Sequence, residues 1–104
     1  MKTINNYLNI NSSKNFERKI SKFFPNAKNI SLDGLRLHTF SGYGQYKNFL
    51  SLTIDGEHLL FSLYHTNSIE RDYYDSDNFD NLSKRRKDNY LKNCVLSILE
   101  ANKF

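Results

Sequence analysis

The 104-residue sequence predicts an α+β domain: a three-stranded antiparallel sheet with one helix before it and one after (α-β-β-β-α), the helices forming a single layer on one sheet face. Three observations predict it. An apolar stripe at helical spacing opens the chain, a second such stripe closes it, and between them two alternating runs meet at Asp55-Gly56. A chain of this length builds one hydrophobic core and not two, so residues 1–104 read as a single domain. Eight Phe and seven Tyr supply large buried area per residue and argue against disorder.

The first helix is placed by "SSKNFERKISKFFP", where Phe16, Ile20, Phe23 and Phe24 fall at i, i+4, i+7 and i+8. Ser12 or Ser13 caps its first turn, and Pro25 drives Phe24 out of helical geometry. In "ISLDGLRLHTF", Leu35, Leu37 and Thr39 alternate as a strand, while Asp33-Gly34 signals a turn or bulge before the strand proper. "NFLSLTIDGEHLLFSLYH" is a hairpin, because Asp-Gly suits the two positive φ angles of a type I′ turn.

A two-residue loop at Asp55-Gly56 sets Ile54 opposite Glu57, Thr53 opposite His58, Leu52 opposite Leu59 and Leu50 opposite Phe61. One face then carries Leu50, Leu52, Ile54, Leu59, Phe61 and Leu63, which make a core. The other carries Phe49, Ser51, Thr53, His58, Leu60, Ser62 and Tyr64. Its apolar members suit a homodimer contact, a stacking platform for bases, or a cover formed by residues 3–10. Residues 67–82, "NSIERDYYDSDNFDNL", have no sustained period and read as a long acidic loop. The last helix runs from about Ser83 to Asn102, with Leu91, Cys94, Val95, Ile98 and Leu99 inward and Tyr90, Leu96 and Ala101 widening the apolar surface.

Charge is distributed unevenly along the chain. The net charge of +4 divides into +6 over residues 1–50, −6 over 51–82 and +4 over 83–104. On the first helix Lys14, Arg18 and Lys22 recur at i, i+4 and i+8, with Lys19 beside them, and like charges at that spacing repel slightly. On the second, Lys84, Arg85, Arg86 and Lys87 crowd the first turn, where the helix dipole favours anions, and Lys92 follows two turns into the helix. A phosphate there meets both backbone donors and side-chain cations. Asp75, Asp77, Asp80 and Asp88 lie close enough in sequence to neutralise the cluster.

In its order of elements the chain resembles the double-stranded RNA-binding domain. Gly42 is followed seven residues later by Phe49, as in that family's first hairpin, and Ser83-Lys84-Arg85 stands where the family opens its second helix with Ser-Lys-Lys. Tyr43 and Gln45 replace the Pro and His of that hairpin, and Asn89, Tyr90, Leu91 and Lys92 replace its small packing residues. The resemblance implies phosphate contacts from the start of the second helix.

Specific chemistry finds little support. His58 and His65 fall on opposite faces of one strand, about 23 Å apart at the usual rise, and cannot share a metal. From Asp75 an EF-hand pattern fails, since Phe79 and Asp80 stand where an oxygen ligand and Gly are needed. "SGYGQY" sits between strands and not before a helix, so it is no phosphate loop. No cofactor and no metal are expected. The single Cys94 lies on an apolar face and reads as packing. No apolar run reaches the length of a membrane span and "MKTINNYLNINSSK" lacks a signal-peptide core, so a cytoplasmic protein without membrane contact is expected.

Three functional readings follow. The first is a non-enzymatic binding protein that contacts nucleic acid through Lys84, Arg85, Arg86, Lys87, Lys92 and the stripe of Lys14, Arg18 and Lys22. The second is an inhibitor of a nucleic-acid-handling protein, of the size seen in products of phages and mobile elements, whose Tyr73, Tyr74, Asp75, Asp77, Phe79 and Asp80 imitate the charge and flat rings of a strand. The third is a small metal-independent ribonuclease built from scattered groups such as His38, Arg36, His58, Glu57 and Tyr64.

Overall fold

The computed structural model describes residues 10–42, 45–66 and 81–102. Their order is α1 (Lys14–Ser21), β1 (Ile30–Gly42), β2 (Gln45–Ile54), β3 (Glu57–Thr66) and α2 (Lys84–Ala101), with an antiparallel sheet ordered β1-β2-β3. This is the α-β-β-β-α architecture that the sequence predicts. Cys94 packs at the edge of the core, half-buried, as its place on the apolar face of the last helix implies. No helix among the described residues is long and apolar enough to cross a membrane.

Each element follows from local chemistry. Ser13 caps α1 by accepting a hydrogen bond from the Phe16 N–H, and Ser83 caps α2 by accepting one from the Arg86 N–H. Asp55 and Gly56 take φ angles of 49° and 87°, the two left-handed conformations of a type I′ turn. The turn is also fastened from outside, because the Asp55 carboxylate accepts hydrogen bonds from the N–H groups of Lys28 and Asn29 just before β1. The β2–β3 register runs without interruption from Ile54↔Glu57 to Gln45↔Thr66.

β1 is less regular than β2 and β3. The Asp33-Gly34 signal marks a bulge and not a turn: Leu32 pairs with Leu52 and Gly34 with Ser51, so β1 gains a residue at this point and continues as one strand. Its effect on side chains is specific. Ile30 and Leu32 precede the bulge in even positions and Leu35 follows it in an odd one, yet all three are buried on one face. Two further register shifts, between Arg36 and Thr39 and between Phe40 and Gly42, increase the local twist.

Both helices cover that face. Phe16 and Ile20 of α1 and Leu91, Val95, Ile98 and Leu99 of α2 join Leu35, Leu50, Leu52 and Phe61 of the sheet in one core. Ile10, 1% exposed, also enters it from ahead of α1. The helices lie side by side and point the same way: Ser13 and Phe16 border a groove with Asn89 and Lys92, while Lys22 and Phe23 border its continuation with Ser97 and Glu100. Asp88 ties this end together, accepting from the Asn11 N–H and pairing with Lys92 at 2.9 Å.

The free edge of β3 is closed at its middle. A two-residue hairpin places the Ser62 carbonyl on the side away from β2. It accepts from the Asn102 side-chain amide at 2.8 Å, and the same amide donates to the Ile98 carbonyl at the end of α2.

Candidate functional site

Cations gather where the two helices begin. Because α1 and α2 run in the same direction, both positive dipole ends face one end of the domain. Lys84, Arg85 and Arg86 are exposed there, and none of them forms an ion pair among the described residues. Lys87 is partly covered. On α1 the buried Phe16 and Ile20 point to the sheet, which turns Lys14, Arg18 and Lys22 to the opposite, solvent side. Arg86 precedes Asn89 and Asn93 by three and seven residues, and those two line the groove beside α1, so Arg86 stands on the same outward side.

Lys92 differs from the other cations assigned to this surface. Its ammonium lies 2.9 Å from Asp88 and 5.5 Å from the centre of the Phe16 ring, with 17% of the side chain exposed. It is therefore held as an internal counter-charge between the helices. Asp88, expected among the acids that neutralise the first turn, pairs with Lys92 one turn further along instead.

The acidic-loop residues Tyr73, Tyr74, Asp75, Asp77, Phe79 and Asp80 lie outside the described residues, as do residues 3–9. The histidines are treated unequally. The side chains of His38 and His65 are not described, whereas His58 stands exposed on the sheet face away from the helices. Its Nδ1 lies 2.8 Å from the Thr53 hydroxyl, which donates to Asp33, and Asp33 also accepts from Ser31 at 2.9 Å. With the single Thr53 proton directed to Asp33, the Thr53 hydroxyl accepts from His58 Nδ1.

This is a hydrogen-bonded chain at one corner of the sheet. Arg36 sits opposite Phe49, four ladder rows beyond the Thr53–His58 pair, and Glu57 and Tyr64 lie towards opposite ends of β3. These groups do not converge. Among the described residues no three His, Cys, Asp or Glu side chains cluster as metal ligands.

The same face carries a constellation that charge counting along the sequence missed. Lys47 Nζ lies 4.4 Å from the centre of the Tyr64 ring, 5.1 Å from that of Phe49 and 3.0 Å from the Tyr64 hydroxyl. The signal available in sequence was the hairpin register, which sets Lys47 opposite Tyr64 and two residues from Phe49. A search of family models, of curated proteins and of solved structures found no match to this chain.

Proposed function

We propose that the protein is a non-enzymatic nucleic-acid-binding domain that grips the phosphate backbone along its helix layer. One observation carries the reading: two helices start at the same end of the domain, and Lys84, Arg85 and Arg86 stand exposed there without an ion pair among the described residues, beside the outward stripe of Lys14, Arg18 and Lys22. Cations in a first helical turn oppose the dipole, so the helix itself does not favour that placement. A phosphate reverses the sign of the effect, being attracted by the dipole, the backbone donors and the side chains together. The shared layout with the double-stranded RNA-binding domain makes duplex RNA the first ligand to try.

Gel-shift and fluorescence-anisotropy titrations with duplex RNA, duplex DNA and single strands test it. Binding is expected to weaken steeply with salt, and if the six cations each meet a phosphate, log K falls with log salt at a slope of about −5 on B-form DNA. Arg85→Glu with Arg86→Glu should lower duplex affinity by about 100-fold and flatten that slope by about 2. No binding at about 50 mM salt, or binding untouched by the double substitution, rules the reading out.

A further inference from the structure

We infer that the sheet face opposite the helices is a second nucleic-acid surface, one that takes the bases of a single strand on Tyr64 and Phe49 and its phosphates on Lys47 and Arg36. The inference rests on the nucleic-acid reading above for its class of ligand, and on a separate set of residues for its site.

Four features of this face support it. Leu60 and Tyr64 are 69% and 59% exposed, the largest apolar groups left open among the described residues. Lys47 carries its ammonium against two aromatic rings and has no acidic partner among the described residues. Arg36, also exposed and without an ion pair among the described residues, stands across from Phe49 on β1, so a cation flanks the rings on each side. The only acid described on this face, Asp33, lies at the far corner and already accepts from Ser31 and Thr53.

The shape fits as well as the charge. Gly34, Ser51 and Ser62 are small and neighbour Phe49 and Leu60 in the ladder, so little side-chain bulk lies around the exposed Tyr64 ring and the half-buried Phe49. Phe49 pairs with Ser62, so Tyr64 is its diagonal neighbour at roughly 7–8 Å, within reach of two successive bases. Bases of any identity stack on such rings, while cations beside them track the backbone. A second copy of the chain is the less favoured occupant, because two facing copies would bring Lys47 and Arg36 against their own kind.

The test uses the full chain with a labelled single-stranded oligonucleotide of about ten nucleotides, sufficient for one small site, and a duplex of matched length. Tyr64→Ala is expected to weaken single-strand binding by about five- to 100-fold, as loss of one stacked base does, with duplex binding unchanged. Lys47→Ala should act in the same direction, whereas Tyr64→Phe, which keeps the ring, should retain affinity within about two-fold. Arg85→Glu with Arg86→Glu should leave the Tyr64 dependence intact.

Single-strand affinity indifferent to Tyr64→Ala and Lys47→Ala overturns the inference while leaving the helix-edge reading in place. A concentration-dependent dimer that Leu60→Ser dissolves and oligonucleotide does not disturb also overturns it, and assigns the face to a second copy. Failure of both duplex and single strand to bind overturns both readings.

Discussion

Asp88→Ala is expected to destabilise the domain by about 3 kcal/mol, read as a lower urea midpoint at unchanged m-value. Asp88 is 7% exposed, and two groups depend on it. Removing it leaves the Asn11 N–H without its acceptor and the Lys92 ammonium without its counter-charge, in a crevice where only 17% of the lysine side chain reaches solvent. A stranded buried charge costs about 3–5 kcal/mol, reduced here because Lys92 keeps partial access to water, and the loss of the Asn11 hydrogen bond adds up to about 1, since Asn11 is exposed. Asp88→Asn retains an acceptor for Asn11 and should cost about half as much. Adding Lys92→Met to Asp88→Ala should recover part of the loss, since the stranded charge goes with it. A midpoint unmoved by Asp88→Ala would mean that the helix ends are held by packing alone.

Leu50→Ala should cost about 2–5 kcal/mol by the same measurement, at the upper end of that range if the site cannot collapse. Leu50 is fully buried at the centre of the middle strand, with Leu35 beside it on β1 and Phe61 on β3, both on the face that the helices cover. Strands hold its neighbours on two sides and helices cap the third, so the cavity has few ways to close. Leu60→Ala, on the opposite face and 69% exposed, should change stability by less than about 0.5 kcal/mol. The pair of substitutions checks the assignment of the two faces directly.

The sequence showed most about those parts whose partners lie nearby. Asp55-Gly56 fixed a two-residue loop, the loop fixed the register, and alternation then assigned every hairpin residue to a face. Both helix starts were legible because a serine precedes each apolar stripe. The bulge at Asp33 was half legible: the parity change between Leu32 and Leu35 marks an extra residue, but a turn would leave the same mark.

What stayed hidden depends on distant partners. Ile10 follows Leu8 by two residues in a run too short to fix a period, and although residues 3–10 suit a cover for the other sheet face, Ile10 enters the core on the helix side. Lys92 looked like another surface cation because composition does not reveal that Asp88 and the Phe16 ring enclose it. Lys47 is hidden for the opposite reason. One lysine in a strand makes no cluster along the chain, and only pairing across the sheet brings it to Tyr64 and Phe49.

The hydrogen bond from Asn102 to Ser62 bears on how the molecule meets other copies of itself. β3 is a ten-residue strand at the margin of the sheet, free of proline and of register breaks, and such a margin is a template on which further strands can add. Among the described residues, the side chain of Asn102, which caps the end of α2, stands across its middle. Helix ends fray far more readily than domains unfold, so the event that exposes the template is local and frequent compared with global unfolding. A variant that loses this contact is therefore expected to precipitate more readily than the parent even where its urea midpoint is unchanged, read as light scattering on incubation at matched concentration.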